Sequence, residues 1–142
     1  MVETAILPTD EQMQALGAQL ESGGRVTMLN LLKYREAADY SGFPDETGCS
    51  GREAYRRYMK VVRPCLETVG ARIVFSGPVN ATVIGPADEV WDDMILVEYP
   101  TPQSLGEMRS SSEYQAIEHH RTAALANSRL FAIGTGEMAC ES

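Results

Sequence analysis

Apolar residues fall in two nearly unbroken runs, at residues 25–34 (RVTMLNLLKY) and 91–99 (WDDMILVEY). A strand with one face in water alternates apolar and polar residues, whereas a continuous apolar run indicates a strand covered on both sides. We therefore predict a strand in each run, the first of them central in its sheet. Residues 71–85 predict one long or bulged strand, broken at Gly77-Pro78 and joined to the 91–99 strand as an antiparallel hairpin.

Helical spacing of apolar residues marks the segments before and after the first strand. A Thr9-x-x-Gln12 capping box opens a short amphipathic helix, which we predict over residues 9–22. Residues 52–69 carry a single apolar arc beside a basic stripe and predict a longer helix. Pro64 lies inside it and is expected to kink the helix or restart it.

The C-terminal third of the chain predicts one more helix and one more strand. A helical turn is expected around Leu105 and Met108, followed by a capping box over residues 110–113. This box opens a helix that we predict to about residue 127. Residues 130–133 then supply a short last strand.

The predicted order is an N-terminal helix followed by β-α-β-β-α-β, which is the split βαβ arrangement of an α+β ferredoxin-like fold. We expect a single domain over residues 1–142, with its core at 25–134 and a long loop insertion at 35–51. Helices should cover one face of the sheet only. The other face is apolar, so we predict a homodimer in which two sheets pack face to face.

Charge and composition narrow the classes of partner. The 12 Lys and Arg against 20 Asp and Glu give a net charge of -8, which disfavours nucleic acid and anionic membranes as partners. A small apolar or weakly polar ligand suits the chain better. Cys49, Cys65 and Cys140 show no metal-ligand or disulfide spacing, and no apolar run is long enough to span a membrane. We expect a cytoplasmic protein with no cofactor and no metal.

Arg121 is the residue least expected at its position. On a helical wheel it lies at the centre of an apolar face formed by Tyr114, Ile117, Ala124, Leu125 and Ser128. A buried guanidinium keeps its charge and needs a carboxylate, several carbonyls or a bound anion. It either pairs with an acid such as Glu98, or with carbonyls, or it binds the carboxylate, enolate or carbonyl oxygen of a ligand.

Two more polar residues are candidates for the same site. His120 lies at the edge of the Arg121 face and is a candidate acid or base, whereas His119 is predicted to point to the solvated side. Packing beside the core is the alternative for His120. Asn30 interrupts a buried strand, so its amide either bonds to neighbouring structure or orients a ligand carbonyl.

Aromatic side chains at strand and helix ends provide surface for a planar ligand, although core packing accounts better for each of them taken alone. The candidates for ligand contact are Tyr34, Tyr55, Trp91 and Tyr114, with Tyr58 as a further aromatic neighbour.

Four stretches resemble one known family: NLLKYRE (30–36), GREAYRRYMKVVRP (51–64), GPADEVWDDMILVEYP (85–100) and SSEYQAIEHHRTAALANSRL (111–130). They are similar to the domain of unknown function family numbered 1330, of the dimeric α+β barrel superfamily. The resemblance spans about residues 25–133 and implies the fold and the two-fold dimer. The N-terminal helix and the 35–51 loop look like additions to the shorter core.

The superfamily resembles a set of cofactor-free monooxygenases, lactone isomerases, haem enzymes and ligand binders, so it leaves the activity open. Haem would require His119 or His120 as its axial ligand, and the chain carries no other haem signature. One hypothesis is a cofactor-independent enzyme, of isomerase or monooxygenase type, that acts on a small aromatic or lactone-like metabolite. The alternatives are a non-catalytic small-molecule binding or accessory dimer, and a structural dimer in which Arg121 only pairs with a carboxylate.

Overall fold

The computed structural model describes residues 2–18 and 24–134. In chain order, the elements are α1 (Asp10–Ala18), β1 (Val26–Tyr34), α2 (Gly51–Thr68), β2 (Arg72–Pro78), β3 (Asp93–Tyr99), α3 (Gln103–Ser110), α4 (Ser112–Gln115), α5 (Glu118–Ala124) and β4 (Leu125–Ile133).

The four strands form one antiparallel sheet in the order β2-β3-β1-β4. With α2 after β1 and α3 to α5 after β3, this is the βαββαβ order of a ferredoxin-like fold preceded by a helix, as predicted. β1 is an interior strand, which explains its continuous apolar sequence. β2 is irregular between Ile73 and Phe75 and ends at Pro78, in agreement with the predicted bulge and break. The predicted continuation of this strand to residue 85 was wrong, because residues 79–85 form no strand and Val83 and Ile84 are almost fully exposed.

Local capping sets where the first two helices begin. The Thr9 amide donates to Gln12 Oε1 over 2.9 Å and the Gln12 amide donates to Thr9 Oγ1 over 3.1 Å, so the predicted capping box is confirmed. The predicted end of this helix at residue 22 lies outside the described residues. Ser50 caps α2, which runs from Gly51 to Thr68 as one helix through Pro64. The predicted restart at Pro64 was therefore wrong.

The C-terminal helix prediction was wrong in its extent. Instead of one helix to residue 127, α4 and α5 are two short helices, and the chain becomes a strand at Leu125. β4 pairs with β1 along most of its length, and its fully buried Leu125 fills the core. These long-range pairings outweigh the local helical periodicity. The cap is also one residue later than predicted, because Ser111 accepts from the Tyr114 amide.

The two faces of the sheet differ in what covers them. The helices pack over the face that carries Met28 and Val97, both of which are buried. On the opposite face, the strand register places one apolar side chain from each strand in a row across the sheet, and the row is Phe75, Leu96, Leu29 and Phe131. Phe75 and Phe131 remain 57% and 49% exposed. The described part of the chain therefore leaves this row, named here the outer row, open to solvent.

Among the described residues, no helix has the length and apolar character needed to cross a membrane.

Candidate ligand-binding site

A cavity of about 920 Å³ lies between the inner face of the sheet and the helices. Its walls come from β1, β3 and β4 below, from α2 and α3 above, and from α1 and residues 5–8 at the side. Most of the lining is aliphatic or aromatic, because the inner sheet face and the apolar arc of α2 both point into it. Such a volume accommodates a small organic molecule.

Arg121 projects from α5 into this cavity. Its Nη1 donates to the carbonyl oxygen of Ile6 over 2.7 Å, and its guanidinium also interacts with the Tyr55 hydroxyl. Among the described residues, no carboxylate lies within ion-pair distance of Arg121. The charge of this guanidinium is thus surrounded by neutral dipoles, and part of its donor capacity remains for a ligand.

Glu98, the example of a carboxylate partner considered for Arg121, is engaged elsewhere. Its Oε1 lies 2.7 Å from Nη1 of Arg25 and 3.3 Å from Nε of Arg72. Hydrogen bonds from these arginines, the first of them from Arg25, hold the pKa of the Glu98 carboxyl below its usual value. Of the alternatives for Arg121, the pair with Glu98 is excluded because Glu98 points to the outer face of β3, whereas a carbonyl contact is present at Ile6.

Three tyrosines surround the guanidinium. The hydroxyls of Tyr58 and Tyr114 are hydrogen-bonded to each other over 3.0 Å, and Tyr55 packs against Tyr58 with ring centroids 5.3 Å apart. Burial raises the pKa of Tyr55 to about 12, although the charge of Arg121 opposes the rise. Burial likewise raises the pKa of Tyr58 and of Tyr114. All three hydroxyls are therefore protonated at neutral pH, so each carries a proton that it can donate and none acts as a base.

The charged groups of the cavity are all cationic. Its described lining residues include the arginines at positions 25, 109, 121 and 129 and no Asp, Glu, His or Lys. Arg25 and Arg109 are neutralised by ion pairs with Glu98 and Glu118. Arg121 is the cavity arginine that lies among the tyrosines, so an anionic group fits beside it.

Asn30 lines the same cavity from β1. Its Nδ2 donates to the carbonyl oxygen of Ile95 over 3.3 Å, which is a bond to neighbouring structure. No described residue donates to Asn30 Oδ1. That oxygen can accept from a ligand in the cavity, so the two interpretations of Asn30 are compatible.

The N-terminal segment closes the cavity along the β4 edge, a role that the sequence patterns did not predict. Asn127 accepts from the Ala5 amide over 2.9 Å and donates to the Glu3 carbonyl over 3.1 Å. Ser128 Oγ donates to the Ala5 carbonyl over 2.6 Å. These side chains replace the partner strand that an edge strand otherwise lacks. A pair of polar residues in an apolar strand was the available signal, but it did not identify their partner.

Two of the predicted aromatic residues lie outside the cavity lining. The Tyr34 hydroxyl donates to Asp93 Oδ2 over 2.5 Å, and the guanidinium of Arg52 lies 4.8 Å from the Tyr34 ring centroid. Trp91 lies under Arg129, whose guanidinium is 5.3 Å from its ring centroid. The structure thus brings Asn30, Tyr55, Tyr114 and Arg121 together and leaves Tyr34 and Trp91 in other contacts.

The histidines face the 35–51 loop and not the cavity. His120 Nδ1 lies 2.8 Å from the Tyr40 hydroxyl, and burial, with a further contribution from His119, lowers the pKa of His120. The His119 side chain is only 14% exposed and lies 3.0 Å from Glu46 Oε1. The predicted solvated position of His119 was wrong, because the loop folds back over this side of α5. The acid or base role predicted for His120 stays a prediction, and His120 does not line the cavity in which the ligand would bind.

Comparison with known proteins identifies the family. The sequence model of the family described as "Domain of unknown function (DUF1330)" matches residues 47–134. The chain belongs to this family. The resemblance found in the sequence is thereby confirmed, and the matched DUF1330 region covers α2 to β4. No curated protein matches the chain.

Two crystal structures of one bacterial protein resemble this DUF1330 chain over almost its whole length. Methylated RPA0582 is 33% identical with a TM-score of 0.86, and the alignment covers 97% of this chain and 99% of that one. RPA0582, a protein of unknown function from Rhodopseudomonas palustris, is 34% identical with a TM-score of 0.85, covering 96% and 100%. The N-terminal helix and the loop insertion therefore have counterparts in that protein.

A more distant structure shows the fold alone. A Dabb family protein with a ferredoxin-like fold from Mesorhizobium loti is 6% identical with a TM-score of 0.52, over 80% of this chain and 99% of that one. This chain thus has the ferredoxin-like fold that the sequence implied.

Proposed function

We propose that this protein binds a small organic anion with an aromatic or similarly apolar body in the 920 Å³ cavity. The observation that carries the proposal is the guanidinium of Arg121, which faces that cavity and has no described carboxylate partner. A ligand carboxylate or enolate would provide the missing countercharge.

The surroundings of Arg121 support an anion rather than a neutral ligand. The hydroxyl of Tyr55 interacts with the guanidinium and is protonated at neutral pH, so it can donate to the same ligand oxygen. The absence of acidic groups from the described lining removes the repulsion that a carboxylate would otherwise meet. The aliphatic walls favour a ligand with an apolar body, because apolar ligand surface that is removed from water strengthens binding.

A matched pair of ligands tests this proposal. 2-Naphthoate and 2-naphthalenemethanol share their ring system and differ in the charge of one substituent. We expect isothermal titration calorimetry to show at least about tenfold tighter binding of the carboxylate, because a charge-assisted hydrogen bond contributes about 1.5–3 kcal/mol. Equal affinities, or tighter binding of the alcohol, would refute an anion site.

The pH dependence follows from the groups in the cavity. The pKa of Tyr55 is raised to about 12, so it stays protonated well above neutral pH, and arginine stays charged. Since the ligand carboxylate is also ionised, we expect the affinity for 2-naphthoate to change by less than about threefold between roughly pH 6 and 9. A larger change in this window would show that a group titrating near neutrality contacts the ligand, contrary to the proposed site.

Catalysis is a second candidate function, and one observation favours it. Arg121 and the Tyr55 hydroxyl lie together and would stabilise a bound enolate or other oxyanion, which a cofactor-independent isomerase or monooxygenase requires. The described lining, however, contains no side chain that acts as a base at neutral pH. Binding without chemistry therefore agrees better with this geometry.

We also propose that the functional unit is a homodimer formed through the outer row. Four apolar side chains that cross all four strands would be covered by the same row of a second copy related by a two-fold axis. Arg25, Glu98 and Arg72 form a charged group at one end of this face, which suits the rim of an interface.

A further inference from the structure

Three side chains that bind metals in many proteins converge beside α5, away from the cavity. Glu46 Oε1 lies 3.0 Å from His119 Nε2 and 3.8 Å from His120 Nε2. One ligand atom from each of the three residues can be chosen so that all lie within 4.8 Å of one another. Two histidines and one carboxylate around a single small volume form a donor set that suits zinc and other first-row transition metals.

Neighbouring rings hold both imidazoles in place. Phe43 stacks on His119 with ring centroids 4.3 Å apart and an interplanar angle of 14°. The Tyr40 hydroxyl lies 2.8 Å from His120 Nδ1, which leaves His120 Nε2 directed to Glu46. A hydrogen bond to the second ring nitrogen is the usual way in which a protein orients a metal-ligating histidine.

We propose that Glu46, His119 and His120 form a binding site for one divalent transition-metal ion, with Zn²⁺ as the expected ion. Ligand bonds of about 2.0–2.2 Å place donor atoms about 3.3 Å apart around a tetrahedral ion, so the observed separations require only small side-chain movements. Arg57 is the nearby cation, and it lies 4.0 Å from Glu46 Oε2, the oxygen opposite to the one that faces the histidines. It therefore contacts the carboxylate oxygen that the ion would not use and leaves the other oxygen free for the ion.

A bound ion would connect the 35–51 loop to α5. The loop already contacts the end of this helix, because the Asp39 amide donates to the Ala123 carbonyl over 2.9 Å. His119 and His120 directly precede Arg121, so an ion here would also stabilise the helix that carries the ligand-binding arginine. The metal site does not depend on the proposed function, since none of its ligands lines the cavity.

The direct test is a titration of the chelator-treated protein with Zn²⁺ by calorimetry and with Co²⁺ by visible absorption. We expect one ion per chain and, in Glu46→Gln and His120→Asn variants, an affinity at least about 10–100-fold lower. Tyr40→Phe should weaken binding about tenfold, because it removes the bond that orients His120. Glu53→Gln, which changes an exposed acid paired with Arg56, should bind like the unaltered protein.

Two further measurements identify the ligands: one tests whether the nearby thiol of Cys49 binds the ion, and the other tests whether both histidines do. Cys49→Ser should leave binding unchanged, and Co²⁺ should give no thiolate charge-transfer band. If a ligand variant fails to fold, the imidazole proton resonances of the unaltered protein must still shift for both histidines during Zn²⁺ titration. Absence of binding, or equal binding by Glu46→Gln, would overturn the proposal and leave the cluster as a hydrogen-bonded contact between loop and helix.

Discussion

Replacing Arg121 with methionine is expected to lower the affinity for 2-naphthoate about 100-fold while leaving the affinity for 2-naphthalenemethanol nearly unchanged. Methionine keeps the apolar contacts of the arginine stem and removes the charge that would pair with the ligand carboxylate. The selectivity between the two ligands should therefore disappear. Calorimetry on both proteins with both ligands gives the four affinities of this comparison, and equal affinities of the two proteins for the carboxylate would contradict the role of Arg121.

Stability and a matched variant control this result. A buried charge without a carboxylate partner costs desolvation energy, so Arg121→Met should leave the free energy of unfolding within about 1 kcal/mol of the original value or raise it. Arg109→Met changes another arginine of the same cavity, but one that is paired with Glu118 at 3.1 Å. We expect this variant to retain most of the carboxylate selectivity. A similar loss in both variants would indicate a general electrostatic effect of the cavity instead of a specific contact.

Replacing Leu96 with glutamate is expected to convert the proposed dimer to a monomer. Leu96 lies between Phe75 and Leu29 in the outer row, so two copies of the substitution would meet in a two-fold interface. Burying an unpaired charge costs several kcal/mol for each copy, which predicts at least about a 1000-fold weaker dimer. Sedimentation velocity at micromolar concentration should show a dimer for the original chain and a monomer for the variant.

Val83→Glu supplies the control for this experiment. Val83 is 93% exposed in the connection between β2 and β3, outside the outer row. The same change of an exposed apolar residue to an acid should leave the dimer intact there. An interface through the outer row would be contradicted if the unaltered protein is a monomer. It would equally be contradicted if the unaltered protein is a dimer and the Leu96→Glu variant is a dimer too.

The two interior strands, β1 and β3, could be predicted because burial on both faces leaves a direct trace in the sequence. The apolar run at 25–34 became β1 from Val26 to Tyr34, and the run at 91–99 contains β3. Capping was equally informative at Thr9, where side chains three positions apart satisfy the backbone amides locally. Each of these features depends only on residues that are close together in the sequence.

The boundary between α5 and β4 could not be predicted, because it depends on pairing with a distant strand. Residues 125–128 continue the helical spacing of the preceding segment, but the chain extends from Leu125 onward and pairs with β1. The same limit applies to His119, whose burial results from the position of the 35–51 loop. A helical wheel contains no information about a loop more than 70 residues earlier in the chain.

The candidate site was predicted as far as helix and strand faces determine it. Asn30, Tyr55, Tyr114 and Arg121 share the cavity because the inner faces of β1, α2 and the C-terminal helices converge there. Tyr34 and Trp91 were chosen for their residue type and lie in contacts with charged neighbours. Asn127 and Ser128 stand out locally as polar residues in an apolar strand, but the N-terminal segment that they hold lies more than 120 positions away and cannot be identified from them.

A crystal structure of the protein with 2-naphthoate tests the proposed anion site most directly. We expect the carboxylate within about 3 Å of the Arg121 guanidinium and the naphthalene ring among the apolar walls of the cavity. An empty cavity at saturating ligand, or a carboxylate bound elsewhere while Arg121 remains on the Ile6 carbonyl, would contradict it.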